Sequence, residues 1–176
     1  LPEVTAGADL GGLIAGALAS SGRRFDDGDV VVVAQKIVSK AEGAIVRLEG
    51  VVPSARAAQW GAAHGKDPRV IEVILRESQR IVRMERGILI AETRHGFVCA
   101  NAGVDASNVE PGFVTILPED ADASAERLRA ALGWSCGCHV GVIGSDTFGR
   151  AWREGVVNVA LGVAGLRPLV DYRGSA

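Results

Sequence analysis

Apolar residues recur every three or four positions from Asp9 to Leu18. Leu10, Leu13, Ile14, Ala17 and Leu18 fall on one side of a helix, with Asp9 where an N-cap would stand. The next apolar run, Val30-Val31-Val32-Val33, is continuous and β-branched. It follows the turn-forming Asp26-Asp27-Gly28-Asp29 and reads as a strand covered on both faces. A loop through Ser39–Gly43 leads to a second strand over about 44–48. Pro53-Ser54 opens a helix over 55–63, stopped near Gly65. Asp67-Pro68 caps a stronger one, in which Val70, Ile71, Ile74, Leu75 and Ser78 keep helical spacing. Strand-like runs return at 81–84, 88–91, 97–100 and 113–117. A helix over about 124–132 follows, with Asp122 or Ser124 near its cap, and the last apolar runs, 140–143 and 156–161, read as buried strands. The pattern predicts an α+β fold, a largely antiparallel β framework with a small helical insertion at about 53–80. There is no internal repeat or low-complexity linker.

At 176 residues the chain suits one domain, or one domain with a small subdomain. A net charge of −2 argues against a nucleic-acid or anionic-membrane surface. The sequence has no apolar run near the ~20 residues of a membrane span and no charged-then-apolar leader. It starts at Leu1 without an initiator Met, so we expect something upstream to be missing. A cytoplasmic protein is the natural expectation. Cys99, Cys136 and Cys138 make an odd set that suits a reducing compartment, and we expect ordinary thiols near a strand entrance. Cys136-Gly-Cys138-His139 invites a metal reading, yet a structural zinc site wants four ligands, and His64 and His95 lie in unrelated contexts. Glycine, 23 of 176 residues, is about 13% against a typical ~7%, and clusters at motif edges, as tight turns or a site lined by main chain would require.

Two segments concentrate oxygen and amide groups where strands end. Glu92-Thr-Arg-His-Gly-Phe-Val-Cys-Ala-Asn-Ala-Gly-Val-Asp-Ala-Ser-Asn108 closes an apolar stretch with Asn101, Asp105, Ser107 and Asn108. Val140-Gly-Val-Ile-Gly144 delivers Ser145-Asp146-Thr147 and then Gly149-Arg150. A carboxylate flanked by hydroxyls suits a hard divalent cation, which takes one or two protein carboxylates and leaves places for water and phosphate. Aspartates also stabilise turns through local backbone hydrogen bonds, and residue type alone does not separate the two roles. Lys36 and Lys40 could form a solvated edge or a fixed loop facing an anion. Arg150, with Trp152 and Arg153, offers either a surface cation packed on an indole or a bidentate clamp for carboxylate or phosphodiester. His95, a single loop histidine, is given no role. A P-loop is absent, because Gly61-Ala-Ala-His-Gly65-Lys66-Asp67 is one residue short and ends in Asp where Ser or Thr is required. No Gly-x-Gly-x-x-Gly supports a dinucleotide site.

Three ordered motifs, VVVAQKIVSKAEG at 31–43, ETRHGFVCANAGVDASNV at 92–109 and SDTFGR at 145–150, resemble the coenzyme F420:L-glutamate ligase family, and the similarity runs from Leu1 to Gly174. The resemblance implies GTP-dependent addition of L-glutamate, through amide bonds, to the carboxylate of the F420 precursor (F420-0). It implies Mg²⁺ or Mn²⁺ held by Asp105, Asp146 and the Thr147 hydroxyl, with K⁺ as an optional further ion. Lys40 would meet a nucleotide phosphate, Gln35 and Lys36 would act mainly through the backbone, Asn108 would contact the nucleotide, and Leu1, Pro2, Glu3 and Val4 would run beside the base. Arg150 would take substrate. An intertwined homodimer is implied as well. Family members continue beyond Asp171-Tyr172-Arg173-Gly174, so residues 1–176 are expected to form a ligase domain incomplete at its C-terminus. It would lack one wall of the nucleotide pocket and expose apolar surface on the late strands. The competing readings are a nucleotide-binding module without ligase activity within a longer fusion, and a metal-dependent phosphohydrolase.

Overall fold

The computed structural model describes residues 2–149 and 155–174. It is mixed α+β, with five α-helices among the described residues. Two compact units divide the chain: one holds residues 1–42, 118–146 and 159–176, the other 43–117 and 147–158.

The first unit begins with α1 (Leu10–Ser20), capped by the Asp9 carboxylate, which accepts the Gly12 N–H at 3.0 Å. The Asp26–Asp29 turn feeds β1 (Val30–Ala34), and α2 (Gln35–Ala41) follows directly. This helix corrects the expected loop. No Gly or Pro interrupts 35–41, and Gln35, Val38 and Ser39 fall at helical spacing on a buried face. Helix α5 (Ala121–Cys136) is longer than expected and starts earlier. Its cap is Asp120, whose carboxylate takes the Ala123 N–H at 2.9 Å, so Asp122 and Ser124 are not the cap. β1 pairs in parallel with β7 (Gly141–Gly149), Val30 opposite Gly141 and Ala34 opposite Ser145, and β8 (Val156–Ala164) lies on the far side of β7. The core joins Val33 and Val38 to Leu128, Leu132 and Val142.

β1 was expected to be covered on both faces. Instead Val33 is buried while Val30 and Val32 are 51% and 60% exposed, because alternate side chains point to opposite faces and the face of Val31 and Val33 is the one packed on the first core. β8 is likewise only partly buried, with Leu161 and Ala164 inside and Val156 exposed. At Gly162 the first turn of α5 touches the strand, and a Cβ there would sit 2.1 Å from the Ala121 carbonyl oxygen. The Asp122 carboxylate accepts the Val163 N–H at 2.8 Å, so the helix start also satisfies a strand donor.

In the second unit, β2 (Ile45–Arg47) pairs antiparallel with β6 (Phe113–Thr115), and β3 (Ser78–Glu85), β4 (Ile88–Thr93) and β5 (Val98–Ala100) form an antiparallel sheet. Helices α3 (Ala55–His64) and α4 (Pro68–Glu77) stand between β2 and β3 in the chain, where the sequence pattern put them. Gly65 closes α3 in a left-handed conformation, φ 61°, which glycine adopts at no steric cost. Ile71, Val73 and Ile74 of α4 join Leu48, Leu89 and Val114 in a second core.

Glu72 ties these helices together. Its carboxylate accepts the Ser54 N–H at 2.9 Å, just before α3, and pairs with Arg76 at 3.0 Å. Hydrogen bonds from Ser54, then the Arg76 contact, hold Glu72 below the usual carboxylate range, and hydrogen bonds from Arg69 do the same for Asp67, the cap of α4. A carboxylate that is more acidic folded than unfolded stabilises above its unfolded pKa, and that gain is lost as pH falls through the folded value. Urea midpoints should therefore be level at neutral pH and fall below about pH 4.5, the ordinary glutamate value. Glu72→Gln should lower the neutral midpoint and flatten the acid decline. An identical acid decline in the variant would remove Glu72 from this account.

Candidate functional site

Asp105 is placed by backbone before its side chain matters. It exchanges both main-chain hydrogen bonds with the fully buried Thr115, at 3.0 and 2.8 Å. The chain reaches it through a 3₁₀ turn at Asn101–Gly103 with Asn101 and Ala102 at φ 54° and 52°. Buried Ala102 and Val104 anchor that turn in the second core. The carboxylate accepts the Ser107 N–H at 2.6 Å and the Ser107 hydroxyl at 3.0 Å. These local bonds are the turn-forming role weighed for this aspartate, and they also fix the direction of the carboxylate. Exposed Asn108 follows at φ 56°.

Asp146 and Thr147 are consecutive residues of β7, the first half-buried and the second exposed. The chain passes from one unit to the other between them. Thr147 donates its hydroxyl hydrogen to the Asn158 side-chain oxygen of β8 at 3.1 Å. Asn158 carries no motif signal and was missed in the sequence. Arg150 lies outside the described residues, as do Leu1, Trp152 and Arg153.

Of the residues expected to meet a nucleotide, the first unit brings two together. Lys40, in the last turn of α2, keeps its ammonium 3.5 Å from the Glu3 carboxylate, although the two lie 37 positions apart. The Lys40 side chain is only 13% exposed, so it is not the solvated edge residue that its sequence setting allowed. Pro2 and Glu3 are exposed and Val4 is buried in the first core. The buried Gln35 side chain donates to the Ser39 hydroxyl one helical turn on, which turns it inward, and Lys36 beside it is half-buried.

Glu42, in the same motif as Lys40, is a latch that spacing could not reveal. It accepts hydrogen bonds from the Ser124 hydroxyl at 3.0 Å and from Arg127 at 2.7 Å, tying the end of α2 to α5.

Asp105, Asp146 and Thr147 each carry a hard oxygen donor, the kind that Mg²⁺ or Mn²⁺ prefers and a soft metal does not. Among the described residues no three His, Cys, Asp or Glu gather as a cage. An octahedral cation that keeps water and phosphate ligands needs none. Nor does Cys136-Gly-Cys138-His139 form a metal centre. Cys136 and Cys138 are joined by a disulfide, which corrects the expectation of ordinary thiols. Their Cα atoms lie 5.4 Å apart because Gly137 turns left-handed at the end of α5. No helix among the described residues is long and apolar enough to cross a membrane.

The family described as F420-0:Gamma-glutamyl ligase matches residues 1–176. The chain is 50% identical over 174 residues to the coenzyme F420:L-glutamate ligase of Methanothermobacter thermautotrophicus, covering 99% of this chain and 69% of that protein. It is 50% identical over 172 residues to the Methanopyrus kandleri protein of the same name (98% and 66% covered). With the Methanocaldococcus jannaschii protein, again of that name, identity is 44% over 150 residues (85% and 60% covered). The chain thus spans roughly two-thirds of the length of these relatives.

Proposed function

Because the chain belongs to the F420-0:gamma-glutamyl ligase family, we propose that it carries the ligase activity for which its relatives are named, adding L-glutamate to the F420 precursor in coenzyme F420 biosynthesis. The observation that carries this reading is 50% identity over 99% of the chain, a span that includes Lys40, Asp105, Asp146 and Thr147. The reaction is driven by GTP, needs Mg²⁺ or Mn²⁺, with K⁺ as an optional addition, and runs in the cytoplasm in a homodimer.

Amide formation from a carboxylate and an ammonium ion is uphill in water, so the carboxylate must first be activated. The γ-phosphoryl group of GTP passes to the precursor's carboxylate, giving an acyl phosphate and GDP. The glutamate amine then attacks the acyl carbon and inorganic phosphate leaves. A divalent cation, when bound, neutralises the triphosphate. Asp105, its carboxylate already aimed by Ser107, and Asp146 would each offer an anionic oxygen to such a cation, and Thr147 would offer a hydroxyl. Lys40 trades its Glu3 partner for a nucleotide phosphate, and Gln35, whose side chain is turned onto Ser39, offers only main chain. Lys36 and Asn108 add nucleotide contacts, Pro2, Glu3 and Val4 line the base together with Leu1, and Arg150 binds a carboxylate or phosphodiester of the substrate. Exclusion of water protects the acyl phosphate.

Incubation with F420 precursor, GTP, Mn²⁺ and L-glutamate, followed by mass spectrometry, should show product heavier by glutamyl units. Phosphate released from GTP without acceptor would identify a phosphohydrolase instead. Nucleotide bound without either reaction would identify a binding module.

Lys40→Ala should weaken GTP binding roughly tenfold to a hundredfold, the range for losing a charge-assisted contact of about 1.5–3 kcal/mol. Glu3→Gln frees Lys40 from its ion pair and should leave affinity equal or higher. Titrations of Lys40→Ala that overlay the parent would confine Lys40 to its pair with Glu3.

A further inference from the structure

The end of α5 carries chemistry that the ligase reading leaves unused. The Cys136–Cys138 bridge encloses a single residue, Gly137, at φ 68°, whose N–H returns to the Gly133 carbonyl at 2.9 Å. Cys136 is exposed, Cys138 is half-buried, and Cys99, the remaining cysteine, is buried. Just downstream, the His139 N–H donates to the Asp27 carboxylate at 2.7 Å and the His139 carbonyl accepts the Gly28 N–H at 2.9 Å. That loop is therefore fixed to the turn before β1 without help from the bridge.

A disulfide stabilises mainly by restricting the unfolded chain, and a loop this short restricts very little. The pair is thus poorly suited to be a structural staple, yet its outer sulfur is open to attack. We propose that Cys136-Gly137-Cys138 is a reversible thiol–disulfide exchange site whose co-substrates are low-molecular-weight disulfides and thiols. In the oxidising direction the Cys136 thiolate attacks a small disulfide R–S–S–R, forming a mixed disulfide and releasing one R–S⁻. The Cys138 thiolate then attacks the Cys136 sulfur and expels the second R–S⁻. Two electrons leave the protein dithiol and end on two small thiols, and the two thiol protons go to solvent or to those thiolates. Reduction is the reverse, starting at exposed Cys136. The thiolate is the attacking species, so exchange from the reduced form should quicken as pH rises.

The test uses the 1–176 chain in glutathione buffers of stepped reduced-to-oxidised ratio, trapped with N-ethylmaleimide and read by peptide mass spectrometry. The peptide holding both cysteines should pass from two alkyl groups to none as the buffer becomes oxidising, with the same end point from either direction. Cys99 should be alkylated only after denaturation. Cys138→Ser should stop at one glutathione on Cys136, and Cys136→Ser should be modified more slowly. Two alkylatable thiols at every ratio, a bridge that no ratio reduces, covalent dimers, or a large fall in urea midpoint on reduction would each overturn the proposal.

Discussion

Asn in place of Asp105 or Asp146 should abolish glutamate addition, a loss of at least about a hundredfold, because a neutral amide cannot balance a divalent cation. The fold should survive. At position 105 the two main-chain bonds to Thr115 are untouched, and an amide oxygen can still accept the Ser107 N–H. Turnover with Mn²⁺, precursor, GTP and glutamate gives one readout and the urea midpoint the other. Parent-like rates in both variants would remove the aspartates from the reaction. A collapsed midpoint in Asp105→Asn would show that its carboxylate serves the turn first.

The largest effect on stability should come from one methyl group. A Cβ at Gly162 would lie 2.1 Å from the carbonyl oxygen and 2.2 Å from the carbonyl carbon of Ala121, both backbone atoms of α5's first turn. No side-chain rotation relieves such a contact. Either β8 or the helix start must move, which also strains the Asp122 bond to the Val163 N–H. Gly162→Ala should cost about 3 kcal/mol, the upper part of the overpacking range, measured by urea unfolding. As a control, Gly16→Ala in α1, where a Cβ meets nothing within 4 Å, should be neutral or stabilising. Equal midpoints for the two variants would show that α5 and β8 separate at little cost.

How much of this was legible in the sequence follows from how far each signal travels along the chain. α3 and α4 were legible because Ser54, Gly65 and Asp67-Pro68 act on neighbours within three residues. α1 was legible for the same reason. α2 was not, since seven residues carry too short a period to set against the strand before them. Asp120 was overlooked as the α5 cap because Asp122 and Ser124 offer the same chemistry two and four residues later, and only backbone geometry chooses among them. The four-valine run hid its exposure, because composition does not say which side of a strand meets another layer.

The candidate site divides in the same way. Asp105 and Ser107 are close enough in sequence for their turn to be foreseen. Lys40 with Glu3, 37 positions apart, and Glu42 with Ser124 and Arg127, 82 and 85 apart, are pairings that only the folded chain makes.

The parallel pairing of β1 with β7 also sets a timetable for synthesis. Val30 leaves the ribosome long before its partner Gly141, and Ala34 long before Ser145. At roughly 5–20 residues per second, β1 waits on the order of ten seconds for the strand that completes its ladder. The intervening residues 43–117 belong to the other unit and pair their strands among themselves in two sheets, so those sheets can form while the first unit is still unfinished. A nascent chain stalled before residue 141 would thus carry the 43–117 part of the second unit, without its 147–158 segment, and a bare, valine-rich strand. That is the stage at which a chaperone or a second nascent chain would find it.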